Sequence, residues 1–375
     1  HDSVVPIPAA LLNGEKAVAL DDQDPFAYYA LGRAAAISQQ PKKATWALRK
    51  AIELNPSYAL AYHTLAQMHV MTPGNEEPSV GYIDEGINLA KTLKAIEIET
   101  YQENGLLFPK RLLTTQEADE YLAELEAYEA ETGGPVNGKW RYKSSLVFPW
   151  VDRLMRKPEI LDVVEDILGP NLMVWTTHLY PKEPGDGRFI SWHQDSAHWG
   201  LDSSKILTVW IALTEVNEAN GCMRMLPESH KGGVAPHRDT WDPDNILTRG
   251  QTIDVEIDET RAVWAPLQPG EASLHHVNMW HASNPNETDR RRVGVALRYI
   301  TPEARQERVE TDFATLVRGQ DDFGHFQPEA APRATMDPEA ISEHRRIAEI
   351  QGQIYLKGTE REGVGGLAET NLAPG

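Results

Sequence analysis

Between residues 172 and 300 the chain passes through short stretches dominated by β-branched, aromatic and aliphatic side chains, at 172–180, 189–193, 206–216, 222–226, 272–282 and 293–300. Pro, Gly and Asn separate them, as turns separate strands. Ahead of this region the apolar positions recur at helical spacing instead. Ala118, Leu122 and Leu125 share one helix face behind Thr114 and Glu117, the reciprocal pair of a capping box. Leu161, Val164 and Leu168 share another, opened by Pro158 and closed by Gly169-Pro170. Both helices read as outer supports. Beyond the strands, Ile341, Ile347, Ile350 and Ile354 follow Pro338 as an amphipathic helix expected on the exterior. A few helices followed by many short strands predict an α+β domain, a sandwich or jelly roll whose mouth can accept a ligand.

The N-terminal segment follows a different rule. Lys16, Ala17, Val18 and Leu20 reappear 34 positions later as Lys50, Ala51, Ile52 and Leu54, while Ala27, Tyr28 and Leu31 reappear as Ala61, Tyr62 and Leu65. Breaks at Asp24-Pro25 and Asn55-Pro56 punctuate the copies, and 82–89 echoes 47–54 at an offset of 35. The segment resembles tetratricopeptide helical hairpins, an all-α array in which each hairpin needs a neighbour to bury its apolar face. About three copies are normally required for stability, so this short array has lost N-terminal copies or packs on the domain C-terminal to it. It is either a structural appendage or a surface for a protein partner or for self-association, and the residues leave both open. The expected organisation is helical repeats over 1–93, a jelly-roll domain over 94–357 and a flexible Gly-rich tail over 358–375.

Composition narrows the chemistry. Over 375 residues, 41% hydrophobic and 25% charged content predicts a folded protein with a substantial core. A formal charge of -20, from 36 basic and 56 acidic residues, opposes binding to nucleic acid or to an anionic membrane. Cys222 is the only cysteine, so a bound metal must be held by His, Asp or Glu. There is no apolar run of the roughly 20 residues a membrane span needs, and no signal-peptide layout, which makes a cytoplasmic location the expectation. The chain starts at His1 rather than Met and reads as a fragment or processed form.

His193-Gln194-Asp195 closes an alternating strand, which would present His193 and Asp195 on one face. A second histidine from a distant strand would complete a two-His, one-carboxylate set with open coordination positions. His275, His276 and His281, all within 272–282, are the candidates. Several strings then occur in order: Ser191 to Leu201 around the His-x-Asp pair, Val209-Trp-Ile-Ala-Leu213, Asn220 to His230, His281-Ala-Ser-Asn-Pro-Asn286 and the Arg290 to Arg292 run. Together, over roughly 97–305, they resemble the phytanoyl-CoA dioxygenase family.

That resemblance implies a double-stranded β-helix, iron(II), 2-oxoglutarate and O2. It implies hydroxylation of an unactivated C–H bond in a small-molecule substrate, with release of succinate and CO2. His193 and Asp195 match the proximal metal ligands. In the family a co-substrate arginine lies eleven positions beyond the distal histidine; from His281 that position is Arg292, whereas His275 and His276 lead to Asn286 and Glu287. His281 is therefore the expected third ligand and Arg292 the expected anchor, with Arg290, on the same strand face, as its rival. Ser283 is a further expected donor to the co-substrate. Trp210 is either a wall of that pocket or core. A carboxylate at Asp195, where halogenating relatives carry a small side chain, implies oxygen insertion. His198, Trp199, His178 and Lys143 are candidate substrate contacts, and His230 belongs to a structural turn. A non-catalytic interaction protein and a cupin-type metalloenzyme without 2-oxoglutarate are the competing readings.

Overall fold

In the computed structural model, residues 7–54, 61, 64, 65, 96–136 and 138–359 are described, and the chain divides into two units, 1–97 and 98–375. The first unit contains α1 (Ile7–Leu20), α2 (Pro25–Ile37) and α3 (Pro41–Leu54). Asp24 caps α2, its carboxylate accepting from the Phe26 amide at 2.8 Å, with Pro25 in the first turn where its missing N–H is harmless. Small side chains let α2 and α3 approach closely: a Cβ on Gly32 would lie 2.6 Å from Leu48 Cγ. Tyr28, Tyr29, Leu48, Ala51, Ala61 and Leu65 form the core of this unit. Tyr62, the Asn55-Pro56 break and the third copy at 82–89 lie outside the described residues.

The second unit is built on two facing sheets. Its strands are β1 (Leu106–Arg111), β2 (Leu172–Lys182), β3 (Ile190–His193), β4 (Ile206–Ala212), β5 (Met223–Leu226), β6 (His237–Arg238), β7 (Thr252–Ile253), β8 (Val263–Ala265), β9 (Glu271–His276), β10 (Trp280–Ser283), β11 (Arg292–Ile300), β12 (Phe313–Arg318) and β13 (Gln327–Pro328). The large sheet runs β1-β9-β4-β11-β2-β12-β13 and the small one β3-β10-β5-β8, with β6 and β7 paired separately. Trp210, Ala212 and Ala296 of the large sheet meet Met223, Met225 and Ala265 of the small sheet in one apolar cluster, so the inner faces oppose each other.

The outer face of the large sheet is covered by helices. Leu207, Val209 and Ile211 of β4 and Val293, Val295 and Leu297 of β11 pack with residues of α4 (Thr115–Thr132), α5 (Pro149–Met155) and α6 (Pro158–Leu168). Every residue of β4 and β11 is buried, which is why these strands are mostly apolar on both faces, with Thr208, Arg292 and Arg298 as the polar exceptions. The capping box forms as the sequence predicts: the Thr114 amide donates to Glu117 Oε2 at 2.8 Å, and the Glu117 amide donates to Thr114 Oγ1 at 3.1 Å.

Three expectations change. The apolar run 272–282 is not one strand. It breaks at a turn in which the Met279 amide donates to His276 O at 2.8 Å, so that β9 belongs to the large sheet and β10 to the small one. The run 206–216 ends as a strand at Ala212, and Val216 makes an isolated bridge to Leu267. The last helix, α8 (Pro338–Leu356), is more than an exterior support: Gln351 on it is fully buried, accepts from the Tyr142 hydroxyl at 2.5 Å and donates to Asp312 at 2.6 Å. Of the predicted tail, only residues 358 and 359 are described.

Gly294 on β11 allows the Trp210 indole to lie flat on the strand, because a Cβ there would penetrate the ring. Gly294→Ala is expected to destabilise the domain by about 1–3 kcal/mol, the usual cost of overpacking, measured by chemical denaturation. An unchanged midpoint would show that the ring does not depend on this gap.

Candidate metal centre and its cavities

His281 and His193 are direct register partners across the antiparallel pair β10/β3, which sets their side chains on one face as neighbours. Each ring is oriented by its own backbone. His193 Nδ1 lies 2.9 Å from Ser191 O and His281 Nδ1 lies 2.9 Å from Met279 O, leaving both Nε2 atoms to face inward as acceptors. Asp195 arrives by a route the alternation argument did not foresee. The strand ends at His193, and Asp195 has helical φ/ψ of -60° and -42°, heading the short helix α7 (Ser196–Trp199). Gln194 is held away from the site, its amide nitrogen donating to Gly233 O and Asn278 O, each at 2.8 Å.

One ligand atom from each of His193, Asp195 and His281 lies within 4.8 Å of the other two, and all three residues are buried. Burial alone would raise the Asp195 carboxyl, but contact with His193 and the field of Arg298 and His281 hold it below the ordinary carboxylate range. Burial, and then His193, push His281 well down, which keeps it a neutral donor. Two imidazoles presenting Nε2 and one carboxylate, facing one point, fit a divalent metal with vacant positions. His275 is also buried, its ring 4.9 Å from that of His281, but it lies on the large sheet and outside the ligand set. His276 on β9 packs instead near His230, whose Nε2 lies 3.0 Å from Gln102 O in the turn the sequence suggested.

One pocket, about 470 Å³ including space open to solvent, adjoins the ligands and is lined by Arg292, Trp210, Ser283 and His275 among others. Arg292 starts β11, is 2% exposed and has its Nε unpartnered; its guanidinium carbon lies 5.2 Å from the Trp210 ring centre. Its rivals are placed elsewhere. Arg290 is exposed before the strand begins, and Arg291 is paired with Glu129 at 2.6 Å and Glu183 at 2.8 Å. Burial lowers the Arg292 pKa to about 10, so it remains charged at neutral pH. Ser283 differs from expectation: its hydroxyl donates to Gly221 O at 2.8 Å and accepts from Lys182 Nζ at 2.8 Å. Lys182, cross-strand partner of Arg292, is fully buried and also donates to Asn284 O. Burial, then the neighbouring Arg292, lower its pKa to about 6.

A second, larger pocket, about 940 Å³ including space open to solvent, adjoins the ligands and includes Trp199, His178, Arg141, Arg298 and Tyr355 in its lining. Trp199 and His178 are therefore where a substrate contact was anticipated. His198 and Lys143 are not. The His198 ring turns toward His237 and lies 4.0 Å from Asp239, because α7 projects it away from the cavity. Lys143 forms a buried ion pair with Glu329 and donates to Phe313 O at 3.1 Å, a structural role. Arg298, Arg141, Tyr355 and Lys182 were missed. Arg298 was within reach, because period two puts it on the same strand face as Arg292. Arg141 and Tyr355 come from remote segments with no local signal.

This geometry, a buried His-Asp-His set at the inner face of two opposed sheets, makes a candidate metal centre. The chain belongs to the phytanoyl-CoA dioxygenase (PhyH) family, whose model matches residues 101–294. It is 34% identical over 161 residues to the probable alpha-ketoglutarate-dependent hypophosphite dioxygenase of Stutzerimonas stutzeri, covering 42% of this chain and 56% of the relative. Human peroxisomal phytanoyl-CoA dioxygenase is 27% identical over 226 residues, covering 54% of this chain and 66% of the relative. The chain thus spans about half to two thirds of the length of these curated relatives. Among solved structures, the apo form of the non-heme monooxygenase ThoJ is 37% identical with a TM-score of 0.61, covering 68% of this chain and 96% of ThoJ. A ThoJ-Ni complex gives 34% and 0.58 over 68% of this chain and 97% of the other.

Lys182 yields a pH prediction. Its pKa falls from 10.5 to about 6 on folding, so between those values the unfolded chain holds a proton that the folded one lacks, and stability rises with pH across the window. Raising the pH from about 7 to about 9 should stabilise the metal-free protein more than its Lys182→Met variant, by on the order of 2 kcal/mol. Equal slopes in urea denaturation would show that Lys182 is charged in the folded state.

Proposed function

We propose that this chain is an iron(II)- and 2-oxoglutarate-dependent dioxygenase that hydroxylates an unactivated C–H bond of a small-molecule substrate. His193, Asp195 and His281 are the metal ligands, and Arg292 anchors the distal carboxylate of 2-oxoglutarate. One observation carries the reading: three buried ligand atoms within 4.8 Å adjoin a cavity that also holds a buried guanidinium with no ion-pair partner among the described residues. In balance, substrate, 2-oxoglutarate and O2 give the alcohol, succinate and CO2. The metal, when bound, supplies chelation of the 2-oxo acid and activation of O2, which no side chain can provide.

The chain's own residues position and exclude. The backbone carbonyls of Ser191 and Met279 fix both imidazoles so that only Nε2 can bind. The planar fork of Arg292 suits two parallel hydrogen bonds to a carboxylate, and Trp210 beside it keeps water from that contact. Asp195 fills the third ligand position with a carboxylate, which supports oxygen insertion over halogenation. Ser283 acts through Lys182 and Gly221 rather than by donating to the co-substrate.

The N-terminal unit is read as tetratricopeptide-like, with residues 1–93 offering a surface for a protein partner or for self-association and 94–357 forming the catalytic domain. Support comes from the α2/α3 hairpin and its close contact at Gly32. A cytoplasmic location without nucleic-acid or membrane binding accords with the -20 charge and with the lack, among the described residues, of a helix long and apolar enough to cross a membrane.

The test is succinate formation from 2-oxoglutarate by iron(II)-loaded protein in air, followed by mass spectrometry. Asp195→Ala should lower it by more than the roughly 10–100-fold that loss of an outer partner costs. Arg292→Lys should raise the half-saturating 2-oxoglutarate concentration about tenfold, one strong hydrogen bond's worth. Iron-dependent turnover without 2-oxoglutarate would favour the cupin-type reading, and failure to bind iron would favour a non-catalytic protein.

A further inference from the structure

The larger pocket is more basic than this acidic chain would lead one to expect. The charged side chains lining it are Arg141, Arg292, Arg298 and Asp195. With Asp195 committed to the metal and Arg292 to the co-substrate, two arginines are left unassigned. Neither Arg141 nor Arg298 has a carboxylate within ion-pair distance among the described residues. Arg298 is 7% exposed; it donates to Tyr180 Oη at 2.9 Å and Thr176 Oγ1 at 3.3 Å, and its buried Nε has no partner. Among the described residues Arg141 is anchored through Nε, which donates to Val136 O at 3.0 Å.

His178 is close enough to feel the field of both guanidinium groups, and it is stacked on Tyr180 with ring centres 4.3 Å apart and planes at 13°. Burial and the two arginines push its pKa well down, so it stands as a neutral imidazole, held in place by Tyr180. Two planar cations and a neutral ring lining one pocket, with neither cation in an ion pair among the described residues, form an anion cradle beside the ligand set.

We propose that the substrate carries an oxyanion, a carboxylate or a phosphonate, and seats it on Arg141, His178 and Arg298, so that its remaining body lies between Trp199 and Tyr355 in front of the metal. The inference rests on the metal-centre reading and names the substrate class of that site. Arg298 and Arg141 then act as specificity determinants: a neutral or cationic compound of the same shape leaves two cations desolvated and unpaired, and is rejected for that reason.

The experiment uses the full chain loaded with iron(II) and 2-oxoglutarate without oxygen, and titrates it calorimetrically with benzoate, phenylphosphonate and benzamide. These share one ring and differ in charge. At least one of the two anions should bind about tenfold or more tightly than benzamide, the worth of one charge-assisted contact, and the tighter of the two identifies the oxyanion. Arg141→Gln and Arg298→Gln should each weaken that anion about tenfold and leave benzamide unchanged. Arg141→Lys, which keeps the charge but loses the fork, should weaken it less. Equal binding of all three probes, anion affinity unaffected by either glutamine variant, or no anion binding at millimolar concentration would overturn the proposal. The visible charge-transfer band of the iron–2-oxoglutarate complex is recorded in the same samples. Calorimetry reads the anion whether or not that band forms, so a missing band counts against the metal-centre reading alone.

Discussion

The site depends on one strand register, the pairing of His281 with His193 across β10 and β3. Side chains alternate with a period of two, so a slip by one residue would turn His281 to the opposite face and leave a single imidazole beside Asp195. Several contacts hold the register. On its other edge β10 pairs with β5 over four residues, Trp280 to Leu226 through Ser283 to Met223. The Trp280 amide donates to Ser229 Oγ at 2.9 Å, and the buried Ser283 hydroxyl donates to Gly221 O at 2.8 Å. Both ligand imidazoles are thereby set by main chain and by the neighbouring strand and turn.

A second constraint is electrostatic. Asp195, Lys182, Arg292 and Arg298 are all buried, and none of the three basic side chains has a carboxylate partner within ion-pair distance among the described residues. Removing an ion from water costs several kcal/mol even after relaxation, which a protein seeking stability alone would avoid. Charged ligands return that energy on binding. A divalent metal between the histidines and Asp195, and a dicarboxylate against Arg292, would each remove an unpaired buried charge. Lys182 shows the same pressure resolved differently, by a pKa lowered to about 6 beside Arg292.

The rest of the catalytic unit supports this arrangement. Helices α4, α5 and α6 bury the outer face of the large sheet, so β4 and β11 are enclosed on both sides and cannot flex toward solvent. The inner face is then free to carry polar groups in a dry setting, where hydrogen bonds and charges act more strongly than in water. The C-terminal helix closes one wall through Tyr355 and is tied to the domain by the Tyr142–Gln351–Asp312 chain of hydrogen bonds.

Local pattern was enough to read α4 with its capping box, α6 between Pro158 and Gly169, and the strands β2, β4 and β11 of the large sheet. The motif string, through the family it resembles, was enough to single out His193, Asp195, His281 and Arg292, because the ligand types are written in the chain and the eleven-residue spacing is the resembled family's. What it could not contain was any relation between distant segments. His275, His276 and His281 share one apolar run in sequence, and only the turn at 277–279, which sends them to opposite sheets, separates a ligand from two bystanders. Lys143 and His198 looked available for substrate until burial and the positions of Glu329 and Asp239 assigned them elsewhere. Arg141, Arg298 and Tyr355 meet only because helices and strands far apart in sequence close around one cavity. Secondary structure follows from interactions a few residues long, whereas the charge balance of a buried site is a sum over the whole fold.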